Sequence, residues 1–367
     1  SPALCPILPK HIYGDGQDLK THPRNTADVV GSGPFKLVEF KSGQRIVMER
    51  FDKYFLPGKP YLDKVIINVN PDASTLMLDL ERGSIQMMPF VTGPTDLKRL
   101  ANDKQIALTP KGYEGIGALN WLAFNLERKP VSDLKVRQAI AYAIDKSFVT
   151  KALMGGFAKV SDGPIAPGGP FTSTEVNRYP PDLKKAAALL DQAGYPAGAG
   201  GERFKLTIDY LPGANDQQKI VAEYVRAQLK KVGITVEART SADFPAWAKR
   251  IAAHDFDMTM DQVFNWGDPV IGVHRTYLST NIKPIIWTNT QSYNNPKVDE
   301  LLNTAGGILE PTKRKAYYET FQKIVTEELP ILFINVVPFH TATTRNVGNV
   351  PATIWGPMSP YDEVYLK

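Results

Sequence analysis

The chain almost lacks cysteine: Cys5 is the only one in 367 residues, so no disulfide can close within it and stability rests on buried cores. A single thiol suits the cytosol and an oxidising compartment equally. Long apolar runs are missing too, none approaching the ~20 residues of a membrane span. The five histidines, His11, His22, His254, His274 and His340, show no paired ligand spacing, which argues against a structural zinc site. Gly-x-Ser-x-Gly, Walker and dinucleotide signatures are absent, and Gly31-Ser32-Gly33-Pro34 precedes a strand pattern, so it reads as a turn rather than a phosphate cradle. Asp255 and Asp257 stand two apart at a strand start, a common place for acids that need not perform acid/base work. No cofactor and no assembled catalytic set is expected, and the chain reads as a non-enzyme. Residues 1–5 lack the charged and apolar regions of a signal peptide, so an export signal is expected upstream.

A large excess of either charge is also missing. Forty-three basic against 38 acidic side chains leave +5, and the densest group, Lys313-Arg314-Lys315, falls on a helix-like stretch and reads as a solvated face. Nucleic-acid binding is therefore not expected. The length implies two or more domains, since single cores stop growing at roughly 250 to 300 residues.

Residues 35–40 and 45–51 flank a Gly43 turn as a hairpin, and 65–69 supplies a further strand. Asp72 caps an expected helix carrying Leu76 and Leu80 and stopped by Gly83, with a short strand at 85–88. A buried strand is expected at 121–126. After it, with Ser132 or Asp133 as cap, comes a helix whose stripe is Val136, Ile140, Ile144 and Phe148. Residues 155–170 are too rich in Gly and Pro for regular structure, and so long a loop suggests function. Then helices at 181–194, 216–232 and 244–254 alternate with strands at 204–210, 234–238 and 256–264. That β-α-β-α-β order predicts an α/β fold with parallel pairing and right-handed crossovers. A long helix at 311–328, a strand at 331–337 and an irregular tail from 346 complete the chain.

The strand over 256–264 stops in Asn265-Trp266-Gly267-Asp268-Pro269, and in open α/β sheets ligands bind just beyond such strand ends. Trp266 either stacks on a ligand or packs as core edge. Asn265 offers hydrogen bonds, and Asp268 either does the same or caps the next turn. Arg250 either holds an anionic group in the same cleft or is solvated, while Met88 and Phe90 either wall the cleft or pack inside.

Several motifs in series resemble a known family: Gly31-Ser32-Gly33-Pro34-Phe35-Lys36-Leu37, the run IVMERFDKYF at 46–55, Gly83-Ser84-Ile85, Phe124-Asn125 with Pro130-Val131-Ser132-Asp133, and VRQAIAYAID at 136–145. Ala187 to Leu190 with Ala193-Gly194-Tyr195, and the closing helix before Pro330-Ile331, agree as well. Together they are similar to the extracytoplasmic solute-binding proteins, family 5, of peptide, opine and nickel ABC importers. The resemblance implies a type II periplasmic-binding-protein architecture of two lobes closing on a solute. Residues 1–120 and 338–367 would form lobe I and 121–337 lobe II, with hinge crossings near 119–125 and 331–337. It also implies a periplasmic location, a membrane permease as partner, a monomer when complete, and a first lobe that lacks its N-terminal part here and so exposes apolar surface and sheet edges.

Peptide-binding relatives carry an aspartate for the ligand's α-ammonium where a gap-free match through Gly267-Asp268-Pro269 places Asn265, and an aromatic residue where it places Gln262. Leu211-Pro212-Gly213-Ala214-Asn215 also lacks the basic residue that some dipeptide binders use. A hydroxyl- or amide-rich solute is therefore expected rather than a simple free-amine peptide. Peptides, opine-like conjugates, oligosaccharides and nickel chelates remain alternatives within the class. A two-domain α/β hydrolase, and a separate lobe without binding capacity, are the rivals outside it.

Overall fold

The computed structural model describes residues 7–213 and 217–367. Cys5, Ala214, Asn215 and the helix start expected at Asp216 lie outside the described residues. The chain divides into two compact units. One takes the described residues up to Val91 with Arg99–Tyr113 and His340–Lys367, and the other takes Thr92–Lys98 and Glu114–Phe339.

The larger unit is built on a five-stranded sheet. Its strands are β1 (Ala118–Phe124), β2 (Phe204–Tyr210), β3 (Ile234–Arg239), β4 (Met258–Phe264) and β5 (Ile331–Val336), in the spatial order β5-β1-β4-β2-β3. β2 pairs in parallel with β3 and with β4, as the alternation of strands and helices requires. β1 runs antiparallel to both β4 and β5. Strand residues alternate between two cores. Leu122, Phe124, Met258 and Met260 face one, while Leu119, Trp121, Ala123 and Val263 face the other.

The first core is covered by helices α1 (Leu134–Ala143), α2 (Leu183–Gln192) and α3 (Gln217–Lys230), through Val136, Ile140, Leu190, Val221 and Val225. The second is covered by α5 (Pro296–Gly307) and α6 (Pro311–Glu328) through Leu302, Tyr318 and Phe321. Helix α4 (Phe244–Ala252) closes a smaller cluster of Trp247, Ile251 and Phe256.

Side-chain caps set where these helices begin. Asp133, not Ser132, caps α1 by accepting from Lys135 N–H, and Asp243 caps α4 through Ala246 N–H. The expected stripe from Val136 to Phe148 does not lie on one helix. Ile144 is extended, Asp145 accepts from Phe148 N–H at 3.0 Å and starts a new short helical turn, and Phe148 is exposed. A cap placed inside a periodic run thus cuts the helix in two. Helix α5 was not expected, although Asn295-Pro296 is a capping signal: Asn295 accepts from Lys297 and Val298 N–H.

The other unit holds two three-stranded antiparallel sheets. Phe35–Lys41, Arg45–Arg50 and Lys64–Asn68 form the first, turning at Gly43 with φ of 68°. His340–Thr344 runs between Met87–Val91 and Ile106–Thr109 in the second. The strand expected at 85–88 therefore starts later, at Met87. Asp72 caps Ala73–Glu81 through Thr75 N–H, and Met77 joins Leu80 on its buried side. On the first sheet Val38, Phe40, Ile66 and Ile67 are exposed.

Candidate functional site

The end of β4 is fixed from three sides. Trp266 N–H donates to Ile116 C=O at 2.8 Å, and the Arg275 guanidinium donates to Phe264 C=O at 2.9 Å. Trp266 itself adopts φ of 50°, which turns the chain out of the strand, and its ring meets Phe264 edge-on at 5.8 Å. Asn265 is buried, and its Nδ2 donates to Pro164 C=O at 2.5 Å, tying the strand end to the Gly- and Pro-rich loop. Gly272 passes directly over the Asn265 backbone, where any Cβ would collide.

Asp268 accepts from Val270 N–H at 2.9 Å, capping the next turn, and its two oxygens take Arg314 of α6 at 2.6 and 2.7 Å. Burial, the largest single influence, would raise its pKa, but Arg314 and the Val270 N–H together outweigh that and hold the carboxyl below its ordinary value. Its lone pairs are thereby engaged inside the unit. Arg250 is tied inside the unit as a donor: its Nη1 donates to Asp209 at 2.7 Å, while Arg239 grips the other oxygen of that fully buried carboxylate at 2.6 and 3.1 Å. Gln262 is half-buried on β4, in register opposite Asn120. Gln262, Asn265, Trp266 and Asp268 thus share one strand end, and Arg250 lies apart on α4. Met88 and Phe90 belong to the other compact unit. There Met88 lies opposite Ala342, and Phe90, at φ of 60°, donates its N–H to Tyr113 Oη at 3.0 Å.

Two polar groupings escaped the sequence reading. The first is Asp261, 5% exposed and opposite Trp121. It accepts from Gln262 N–H at 2.6 Å and from Trp287 Nε1 at 3.4 Å, and burial pushes its carboxyl up to about 7. The second is a set of amides. Asn335, Asn120 and Gln262 occupy one register row across β5, β1 and β4, reached on β5 by a bulge between Phe333 and Asn335. Asn120 Nδ2 faces Asn335 Oδ1 at 3.5 Å and Gln217 Oε1 at 3.4 Å, and Gln218 Nε2 donates to Asn120 Oδ1 at 2.6 Å. Gln217 Nε2 donates to Thr92 C=O at 2.6 Å. The adjacent pair Gln217-Gln218, opening a helix just past a strand end, was the signal available in the sequence.

A family model described as bacterial extracellular solute-binding proteins, family 5 Middle, matches residues 2–284. The chain belongs to this family. Heme-binding protein A of Haemophilus influenzae is 30% identical over 325 residues, covering 87% of this chain and 56% of the relative. Oligopeptide-binding protein AppA of Bacillus subtilis is 29% identical over 357 residues, covering 93% of this chain and 63% of the relative. The chain therefore spans about six-tenths of the length of these relatives, both named for binding. Among solved structures, periplasmic binding protein DppA from Helicobacter pylori in complex with peptide STSA superposes with a TM-score of 0.76 at 28% identity, over 92% of this chain and 63% of that one. The fold is that of the type II periplasmic binding proteins. Among the described residues no helix is long and apolar enough to cross a membrane.

Proposed function

We propose that this chain is the solute-binding part of an ABC importer, a non-enzymatic protein that captures a small or oligomeric solute in the periplasm and hands it to a membrane permease. Membership in family 5 over residues 2–284 carries this reading. The binding names of the relatives support it, and so does the set of polar side chains at the carboxyl ends of β2 and β4, where open α/β sheets take their ligands.

Within that class a neutral, hydroxyl- or amide-rich solute suits the site better than a simple free-amine peptide. The strand end offers the uncharged Asn265, and the nearby Asp268 is already paired with Arg314. An ammonium there would give up water without gaining a free carboxylate. Peptide binding is the second reading, favoured by relatives that are named for peptides.

Native mass spectrometry of the protein purified without refolding tests both. A co-purifying solute that adds thermal stability by mass action, about 2.7 kcal/mol at a hundredfold excess over Kd, is the expected result. Steady turnover of a chromogenic ester or glycoside would replace the binding role with an enzymatic one. Tight calorimetric binding of free di- or tripeptides would favour the second reading over the first.

A further inference from the structure

We propose that the amide row of Asn335, Asn120 and Gln262, with Gln217 and Gln218 at the start of α3, is the polar cluster, buried except at its half-buried Gln262 end, that receives the neutral, hydrogen-bond-donating part of the solute, with Gln218 Oε1 as the acceptor that meets it. This rests on the solute-binding reading above and specifies what that solute must carry, an amide N–H or a hydroxyl.

Three observations converge. The first is register. Leu122 and Met260 pair on the apolar face of β1 and β4, and the next pair on that face, Asn120 with Gln262, is amide on amide, continued across β5 by Asn335. The hydrophobic surface is therefore broken at one level on three adjacent strands, and the bulge in β5 is what brings Asn335 to that level. A face meant only for packing would continue apolar.

The second is an unanswered acceptor. Gln218 is 6% exposed; its Nε2 is bonded to Asn120, while its Oε1 has no partner among the described residues. Two of the neighbouring amide donors are already committed, Gln217 Nε2 to Thr92 C=O and Asn335 Nδ2 to Val336 C=O at 2.8 Å. A buried acceptor left open is disfavoured unless something else completes it.

The third is charge. No charged side chain hydrogen-bonds to an amide side chain of the row among the described residues, and the neighbouring ions Asp268 with Arg314 and Asp209 with Arg239 and Arg250 are mutually paired. An ammonium or carboxylate arriving at the row would be desolvated without a countercharge, whereas an amide or hydroxyl gives and takes the same bonds the row already makes.

Isothermal titration of the full chain with three probes tests this: N-acetyl-trialanine amide, maltotriose and zwitterionic trialanine. At least one of the two neutral probes should bind, with trialanine at least tenfold weaker. Gln218→Leu should weaken the neutral probe tenfold or more; it removes the open acceptor but also the Nε2 donor to Asn120 Oδ1, so the free protein should melt somewhat lower while still unfolding cooperatively. Gln262→Ala, at the half-buried end of the row, should weaken it by a smaller factor and guards against a folding defect in the first variant. Equal affinity in wild type and both variants would assign the row to structure alone and overturn the proposal. Trialanine binding tightest overturns it as well, as does no binding by either neutral probe; in both cases the solute-binding reading is judged separately, by whether any solute co-purifies.

Discussion

Asp261→Asn is the substitution whose consequences the structure defines most fully. The Asp261 carboxyl is pushed up from 3.8 to about 7 by burial, opposed only by the Gln262 N–H, the Trp287 indole and the charge of Arg275. Between pH 3.8 and about 7 the unfolded chain has released this proton while the folded chain keeps it, so this group makes stability fall as pH rises through that window. His274 works in the other direction. Burial first, and the charge of Arg314 second, lower it from 6.5 to about 4, so the folded chain lacks a proton that the unfolded one holds, and stability rises with pH between those values.

Each slope is about 1.4 kcal/mol per pH unit. From about pH 4 to 6.5 they should largely cancel in the wild type. Asp261→Asn removes one of them. The variant's stability should then climb by about 3 kcal/mol over that interval, and at pH 8 it should exceed the wild type by up to about 4 kcal/mol. Urea unfolding followed by tryptophan fluorescence at pH 4.5, 5.5, 6.5 and 8 measures this. A variant with the same flat profile as the wild type, or one less stable than it at pH 8, would refute the reasoning.

Arg137 donates to Glu328 C=O at 2.6 and 3.1 Å, to Val131 C=O at 3.0 Å and to Ser132 C=O at 2.8 Å, so it ties the end of α6 to the segment before α1. Arg137→Ala should cost about 3 kcal/mol or more in urea unfolding, and Arg137→Lys should restore less than half of that, since an ammonium lacks the planar fork. Gly233 has φ of 83°, and a Cβ there would run into Gly201 C=O; Gly233→Ala should lose about 1 to 3 kcal/mol. Gly43→Ala, with φ of 68° but open space, should lose less, which separates collision from backbone strain in paired melting curves.

Hydrophobic period and caps reach a long way in this chain. Alternation at Phe204, Leu206, Ile208 and Tyr210, with helix patterns on either side, is sufficient to assign the parallel core strands β2, β3 and β4, because each choice depends on neighbours in sequence. The same local logic failed where one residue overrode a period, as Asp145 does inside the stripe from Val136 to Phe148. The motif residue Arg137 was legible as part of a family pattern, but its role as a tie between carbonyls was not.

By itself the sequence determined the α/β class, the family and the strand end at Asn265 to Asp268. Only tertiary structure decided which polar groups there are spent and which are open. Arg314 reaches Asp268 from 46 residues away, Asp209 takes Arg250 from 41 away, and Pro164 takes the Asn265 amide from 101 away. Asn120, Asn335 and Gln218 become one amide cluster only through strand register and a bulge. Nothing local marks such pairings, because hydrogen bonds and ion pairs depend on distance in space, and the chain distances that separate these partners carry no periodic signal.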